Sequence, residues 1–338
     1  MTMKRETREY AGYWIRRFLS EYLASIRNLS GNTLMAYRDA IRLLLGYVEG
    51  KTHKSPDEML VTDLTADHVR GLLNHIETER GCSVTTRNLR LAAFYALAKY
   101  VAVNCPEYVE WCRSIRAIPV KRTATALITY LEKDEMDALL ALPDQTTKQG
   151  WRDYVLLLFL YNTGARAEEA ATLKIMNLSL PPGKGLSVVT IMGKGRKTRR
   201  CPLWDETKKA LQAIIMGRKD DENVFLNRLN QPMTRFGVYE MVTRYAKRLK
   251  ATMPSIRSKR VSPHTIRHTT ATHLLQAGVD INTIRAWLGH VSVNTTNVYA
   301  EVNMEMKAKA LQACETSRTS KRKHWRDDKK LMDFLAAL

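Results

Sequence analysis

Six side chains downstream of residue 160 have the chemistry needed to attack a phosphodiester. Arginines bind phosphate oxygens, a tyrosine hydroxyl can attack phosphorus, and lysine or histidine can move the protons. Together they would allow covalent phosphoryl transfer without a metal ion. In chain order, the six candidates are Arg166, Lys194, His264, Arg267, His290 and Tyr299.

His264 and Arg267 lie three residues apart, directly after a Ser-Pro pair that is typical of a helix start. This spacing puts both side chains on one helical face. The N-terminus of a helix also adds positive potential for a phosphate. An imidazole and a guanidinium placed in this way predict a phosphate-binding face with a proton acceptor beside it.

A metal site is the competing interpretation of this stretch, because His264, His268 and His273 follow one another at helical spacing. Zinc usually takes a further Cys, Asp or Glu ligand. None of these occurs between residues 262 and 279. We therefore expect no metal and no cofactor.

Taken one at a time, several candidates have an ordinary structural explanation. Arg166 could be a surface arginine at a helix start, and His290 a histidine facing the negative end of a helix dipole. Tyr299 is one of 14 tyrosines, and a lone tyrosine is most often a core residue. Only the order and spacing of the whole set favours catalysis.

Lys194 falls at the tip of a predicted β-hairpin, between Gly193 and Gly195. From such a tip an ammonium could enter a narrow groove and protonate a leaving oxygen. Because other cations crowd the same hairpin, most of them are expected to bind DNA phosphates. These DNA-contact candidates are Arg196, Lys197, Arg199 and Arg200.

Residues 1–115 are predicted to form a helical domain, since apolar residues recur at helical spacing between breaks rich in Gly, Asn and Pro. The predicted helices cover residues 13–26, 33–49, 65–77 and 84–103. Residues 116–125 contain a proline and three basic residues without periodicity, and are assigned as a linker. Lys121 and Arg122 could follow a phosphate backbone there, although a solvated hinge would have the same composition.

Residues 126–338 are predicted to form a second domain of helices around a small sheet. Residues 186–191 and 198–203 read as the two strands of the hairpin. The predicted helices cover residues 132–142, 151–161, 206–216, 235–249, 265–277 and 281–288. The predicted fold class is therefore mainly α with a small antiparallel β-sheet (α+β).

The formal net charge of +20 is unevenly distributed along the chain. Residues 1–115 hold 16 Lys and Arg against 13 Asp and Glu, whereas the remainder holds 38 against 21. Such an excess favours a polyanionic partner, of which nucleic acid is the commonest. A generically basic, solvated surface is the alternative, and charge alone says nothing about catalysis.

The motifs around these residues resemble those of the tyrosine recombinase (phage integrase) family, in particular its Xer-like members. The pattern Y-x-T-G-x-R-x-x-E occurs from Tyr161 to Glu169, and L-G-H-x-x-x-x-x-T-x-x-Y from Leu288 to Tyr299. Alanines flank Arg166 where larger aliphatic residues are more usual, and Glu301 stands where many relatives have histidine. The first departure concerns packing and the second a local contact.

The resemblance implies a helical core-binding domain followed by a tyrosine-recombinase catalytic domain. In the first, Ser30-x-x-Thr33-x-x-x-Tyr37 looks like the start of the DNA-clamping region, so Thr33 and Tyr37 become DNA-contact candidates. In the second, Tyr299 would attack DNA and form a 3′-phosphotyrosine. The resemblance also selects Lys194 over Lys197 as the proton donor.

The remaining roles follow from the same resemblance. Arg166, Arg267 and His290 would stabilise the pentacoordinate phosphorus, and His264 would handle the tyrosine proton. Four protomers would bring two double-stranded DNA sites together, with accessory proteins as possible partners. Integration or excision of a mobile element is the expected setting.

The end of the chain could serve this assembly. Residues 304–314 read as a helix, residues 318–330 are basic, and residues 331–338 are apolar. A terminal apolar helix can dock into a neighbour's groove, as the resemblance implies, or pack on its own domain.

Two alternatives use the same features. A type IB topoisomerase has nearly the same residues, but the helical first domain and the integrase-like spacing argue against it. A DNA-binding regulator without chemistry would not need the full set of six.

The sequence has no apolar run of 18 residues and no apolar leader, and its five cysteines are scattered. It therefore predicts a cytoplasmic protein without membrane contact.

Overall fold

A computed structural model describes residues 7–123, 128–183, 185–193, 195, 197–289 and 335. The chain divides into two compact units, Met1–Ala126 and Leu127–Leu338. The predictions for Lys194, Arg196, His290 and Tyr299 lie outside the described residues. So do those for residues 304–338, apart from Leu335.

The first unit is helical, as predicted. Side-chain caps begin two of its helices: Thr65 accepts a hydrogen bond from the His68 N–H, and Ser83 accepts one from the Thr86 N–H. Short 3-10 turns lie at Thr7–Glu9, Val61–Asp63 and Pro106–Tyr108. The helices are α1 (Ala11–Arg16), continued by a π-helix (Arg17–Ile26), α2 (Gly31–Thr52), α3 (Ala66–Thr78), α4 (Val84–Asn104) and α5 (Val109–Arg116).

The π-helical stretch departs from the prediction of one regular helix over residues 13–26. A π-helix is wider than an α-helix, because its hydrogen bonds join residues five apart. Phe18 and Tyr22 both pack against Tyr100, with ring centroids 5.5 and 4.9 Å away. Two aromatic rings of the π-helix therefore pack against α4.

The first part of the predicted linker is fastened to the first unit. Ile118 is 1% exposed. The Asn88 side-chain amide donates to the Lys121 carbonyl at 2.8 Å, and the Arg87 guanidinium donates to the Pro119 carbonyl at the same distance. The chain up to Lys121 is thus held by α4.

The second unit is built around one helix that is buried along most of its length. Its residues 155–163 are all buried, and they pack against three of the other helices. The helices of this unit are α6 (Lys133–Ala141), the central α7 (Lys148–Thr163), α8 (Ala167–Ala171), α9 (Asp205–Ile215), α10 (Arg235–Thr252), α11 (Pro263–Gln276) and α12 (Ile281–Leu288), with 3-10 turns at Ile175–Asn177 and Pro254–Ile256.

An antiparallel sheet of strands β1 (Leu178–Ser179), β2 (Val188–Met192) and β3 (Thr198–Pro202) lies in the same unit, in that order. The hairpin of β2 and β3 was predicted, whereas β1 is too short to give a periodic signal. Val189 pairs with Cys201, and Ile191 pairs with Arg199. All four of these side chains are buried. The mainly α fold with a small antiparallel sheet is therefore confirmed. No helix among the described residues is long and apolar enough to cross a membrane.

Candidate active site

Arg166 lies where the chain leaves α7 and enters α8. Gly164 ends α7 with φ of +60°, and a Cβ at this position would lie 2.5 Å from Leu288 Cδ2. Both the backbone conformation and the space therefore require glycine. The turn brings Arg166 to the N-cap of α8, with its side chain 41% exposed.

Glu169 holds Arg166 from the first turn of α8. Its carboxylate accepts the Arg166 N–H at 2.9 Å and Arg166 Nη1 at 2.7 Å. It also accepts Arg199 Nη2 at 2.7 Å. Burial alone would raise the pKa of this carboxyl, but Arg199 and Arg166 outweigh burial and lower the pKa of Glu169 to about 2. Glu169 is therefore a buried anion shared by two guanidinium groups.

Arg267 is 1% exposed and projects from α11. Its Nη1 donates to the Gly164 carbonyl at 2.6 Å, and its Nη2 donates to the Leu288 carbonyl at 2.5 Å. These carbonyls belong to the ends of α7 and α12. Because terminal helix carbonyls lack intrahelical donors, one guanidinium satisfies two helix ends while lying beside Arg166.

His264 lies in the first turn of α11, which begins with Pro263 after the N-cap Ser262, as predicted. Its ring makes an edge contact with the ring of His268, with centroids 4.2 Å apart. Desolvation by the surrounding protein lowers the pKa of His264, and the nearby Arg267 and Arg166 lower it further. Burial and the His264 ring lower the pKa of His268 to about 4. Both imidazoles are therefore neutral near pH 7.

An open pocket of about 490 Å³ brings together three of the predicted catalytic side chains, Arg166, His264 and Arg267. The start of α10 contributes residues that the sequence analysis missed. In the sequence they are marked by Thr234, a helix-capping residue, followed by the aromatic residues Phe236 and Tyr239. In the structure Phe236 is 64% exposed. The pocket is lined by Arg166, Ala167, Arg235, Phe236, Tyr239, Ser262, Pro263, His264 and Arg267.

The hairpin separates its predicted DNA-contact residues into two groups. Lys197 and Arg200 are exposed, whereas Arg199 is 9% exposed and points inward to Glu169. Gly195 has φ of +75°, as a tight turn requires. A Cβ at Gly193 would lie 3.2 Å from Glu169 Oε1, so the turn of the hairpin begins close to this carboxylate.

The candidates in the first unit occupy varied positions. Thr33 lies within hydrogen-bond distance of the Ser30 hydroxyl, at 2.9 Å, and Tyr37 packs half-buried against Phe18. Lys121 Nζ donates to Glu77 at 2.7 Å, and Arg122 is exposed. The DNA contacts of all four stay predictions.

Among the described residues there is no cluster of three His, Cys, Asp or Glu side chains that could hold a metal ion. His273, which the alternative metal interpretation included, instead pairs through Nδ1 with the Tyr161 hydroxyl at 2.8 Å. Tyr161 is largely buried, and burial raises its pKa to about 12. These two side chains join α7 to α11.

Comparison with known proteins agrees with both units. Residues 129–306 match the phage integrase family, and residues 15–102 match the N-terminal SAM-like domain of phage integrases. A putative integrase/recombinase of Sinorhizobium fredii is 36% identical over 323 residues, which cover 95% of this chain and 96% of that protein. Tyrosine recombinase XerD of Staphylococcus epidermidis is 29% identical over 296 residues, covering 84% and 94%.

Solved structures share the fold. The XerH site-specific recombinase bound to a palindromic difH substrate has a TM-score of 0.65 at 23% identity, with 85% of this chain and 81% of that chain covered. The integrase of transposon Tn1549 in complex with a circular intermediate DNA has a TM-score of 0.67 at 18% identity, covering 89% and 98%. The family match spans more than half of the chain, and the Sinorhizobium relative aligns over nearly all of it. The chain therefore belongs to the phage integrase family and is a tyrosine recombinase, an enzyme of DNA strand transfer.

Proposed function

We propose that this recombinase cleaves and rejoins double-stranded DNA through a 3′-phosphotyrosine bond at Tyr299. The observation that carries the proposal is the pocket in which Arg166, Arg267 and His264 converge. Two guanidinium groups can stabilise the charge that accumulates on the non-bridging oxygens. A histidine that is neutral near pH 7 can accept the tyrosine proton.

In the proposed step, the Tyr299 oxygen bonds to phosphorus while the bond from phosphorus to the 5′ oxygen breaks. The tyrosine proton passes to His264, and Lys194 gives a proton to the departing 5′ oxygen. His290 donates to the phosphate beside the two arginines. Attack by the 5′ hydroxyl of a second strand reverses the step and joins new partners. The roles of Lys194, His290 and Tyr299 rest on the family motifs.

The distribution of charge supports DNA as the substrate. The chain beyond residue 115 has 38 basic against 21 acidic residues, and Lys197 and Arg200 are exposed on the hairpin whose Arg199 pairs with Glu169. Arg196, Lys121, Arg122, Thr33 and Tyr37 complete the proposed contact set. Solved structures that share the fold, the XerH recombinase and the Tn1549 integrase, are in complex with DNA.

Covalent capture tests the proposal. Protein incubated with genomic fragments of its source organism is denatured, and the attached DNA is sequenced. We expect protein on 3′ ends at a recurring site, free 5′ hydroxyls, and no adduct with Tyr299→Phe, which loses one hydroxyl and should bind DNA almost unchanged. An adduct of the Phe variant at another tyrosine would contradict the assignment. Relaxation of supercoiled DNA by monomers without recombinant products would favour a topoisomerase.

We further propose that four protomers act on two sites, in the integration or excision of a mobile element, and that residues 331–338 dock on a neighbouring protomer. Deleting these residues should leave binding to one site intact, because the proposed phosphate contacts lie elsewhere. It should impair the pairing of two sites and strand exchange. Gel-shift and strand-exchange assays on one preparation separate these steps, and equal strand exchange by both proteins would refute docking between protomers.

A further inference from the structure

Arg199 is a buried cation that the proposed reaction does not use directly. It lies on the inward face of β3, opposite Ile191, with 9% of its surface exposed. Its Nη2 donates to Glu169 Oε2 at 2.7 Å, and its Nε has no hydrogen-bond partner in the part of the chain that the structure describes. A guanidinium that is this buried and already paired with Glu169 is poorly placed to bind a DNA backbone at the surface.

The partner of Arg199 is the carboxylate that orients Arg166. Glu169 Oε1 accepts Arg166 Nη1 at 2.7 Å, and Glu169 Oε2 accepts both the Arg166 N–H and Arg199 Nη2. A carboxylate bound on both oxygens cannot rotate freely about its terminal bond. Arg199 adds a third hydrogen bond, from a buried and therefore restrained side chain, to the carboxylate that binds Arg166.

The backbone at two glycines lies close to the Arg199 side chain. A Cβ at Gly193 would lie 3.6 Å from Arg199 Nη1, and a Cβ at Gly289 would lie 3.1 Å from Arg199 Cδ and 3.4 Å from Nη1. Gly193 precedes Lys194 in the chain, and Gly289 precedes His290. The Arg199 side chain thus packs against the backbone next to two further residues of the proposed reaction.

We propose that Arg199 is a positioning residue. Through the carboxylate of Glu169, it holds the Arg166 side chain in the position where it can bind the scissile phosphate. This inference rests on the proposed function, because it assigns Arg166 the task of binding that phosphate. It also replaces the prediction that Arg199 contacts DNA. The length and charge of the arginine are both needed, since the side chain must cross from β3 to α8 and neutralise a buried anion.

The test uses full-length protein and nicked duplexes that carry the site found by covalent capture. The two duplexes differ only at the scissile position, which is either a phosphate or a methylphosphonate. In the methylphosphonate, a methyl group replaces one non-bridging oxygen and removes its negative charge. The guanidinium groups then have less charge to stabilise. The rate of covalent complex formation is measured in a single turnover at saturating protein.

We expect Arg199→Gln to slow cleavage of the ordinary duplex by about 10- to 100-fold. On the methylphosphonate the loss should shrink to less than about threefold, because the misplaced Arg166 then matters less. Arg199→Lys keeps a cation and should restore part of the rate on the ordinary duplex.

Arg152→Gln is the matched control, since Arg152 pairs with the buried Asp153 in the same unit and lies outside the lining of the pocket. Its ratio of rates on the two duplexes should equal that of the unchanged protein.

An equal loss on both duplexes would overturn the inference, because a general structural defect does not distinguish the two phosphates. So would an Arg199→Gln rate equal to that of the unchanged protein. In both cases the unchanged protein still cleaves, and the proposed function stands. Failure of the unchanged protein to form any covalent complex would instead refute the proposed function, and the inference with it. Thermal unfolding of each variant shows whether it is folded, and Arg199→Lys carries the test if the Gln variant is not.

Discussion

Two buried carboxylates in the second unit have closely similar surroundings but belong to different parts of the molecule. Glu169 pairs with Arg199, which is buried, and with Arg166, whose side chain is 41% exposed. Asp153 pairs with Arg152, whose side chain is 16% exposed, and with Arg244, whose side chain is 49% exposed. In each case one carboxylate orients an inner and an outer arginine.

The outer arginines distinguish the two clusters. Arg244 lies over the ring of Tyr245 at 5.1 Å, and the hydroxyl of Tyr245 donates to Asp153 at 2.9 Å. The inner Arg152 also donates to the Leu226 carbonyl at 2.9 Å. Asp153 therefore joins parts of the fold, whereas Arg166 lines a pocket with Arg267 and His264. A buried carboxylate between arginines does not by itself indicate catalysis; the pocket beside it does.

The largest difference between the clusters is expected from removing each outer arginine. Arg166→Ala should slow single-turnover cleavage by roughly 10²- to 10³-fold, the usual loss for one donor to a charged transition state. Arg244→Ala should change the rate by less than about threefold, since it removes a half-exposed structural pair. Rates of covalent complex formation on a nicked duplex measure both. Equal losses would show that the clusters do not differ in function.

The second comparison concerns stability as a function of pH. The pKa of Glu169 falls from 4.5 to about 2 on folding. Its stabilisation is therefore fully present above pH 4.5 and is lost as pH falls towards 2. This difference in pKa corresponds to about 3 kcal/mol of folding stability. Glu169→Gln should lower the free energy of unfolding by about this amount at pH 7 and by progressively less in acid, as urea unfolding at several pH values would show.

Asp153→Asn is the matched variant for that experiment. It should destabilise the protein at pH 7, because it leaves two arginines without their anion. Its cleavage rate per folded molecule should stay within about threefold of the unchanged protein. A Glu169→Gln variant with full cleavage activity would break the distinction between the two sites.

The pH dependence of cleavage should come from the pocket histidine. The pKa of His264 lies below 6.5, and the neutral ring is the form that accepts a proton. Cleavage should therefore keep its rate from pH 8 down to pH 6.5 and fall by about tenfold per unit below the lowered pKa. Since Glu169 stays ionised throughout this range, the acid limb should disappear in His264→Gln. An acid limb that persists in this variant would assign it to another group.

The smallest effect is expected from removing divalent metals. Two guanidinium groups and a lysine supply the proposed charge neutralisation, so cleavage should have the same rate in EDTA as in Mg²⁺. Covalent complex formation after chelation measures this directly. A strict requirement for a divalent ion would contradict the proposed roles of Arg166 and Arg267.

The sequence predicted the elements better than the contacts between them. An apolar run located α7, the Ser262-Pro263 helix start located α11, and β-branched residues located the hairpin. Spacing alone could not show that Arg166 and Arg267, 101 residues apart, share a pocket; the resemblance to a family supplied that. β1 and the π-helix were missed because two residues give no period and because a helical stripe does not reveal the width of the turn.

Arg199 shows a different limit. Five basic residues lie close together on the hairpin, and the sequence analysis treated those other than Lys194 as one group of DNA-contact candidates. The period of two along β3 separates them, since Arg199 shares a face with the buried Cys201 while Thr198 and Arg200 face outward. That alternation was available in the sequence, but a buried arginine is expected only when its partner anion is known.

The two carbonyl contacts of Arg267 have a consequence for how such genes decay. A copy that no longer recombines is freed from selection on its chemistry, yet a misfolded product still harms the cell. In the proposed mechanism, loss of Arg166 or Tyr299 stops cleavage, while Arg267 still bonds both helix-end carbonyls. Loss of Arg267 leaves both carbonyls buried without a hydrogen-bond donor. Inactive copies of this gene are therefore expected to retain Arg267 after the proposed nucleophile has mutated, so Arg267 alone is a poor marker of an active recombinase.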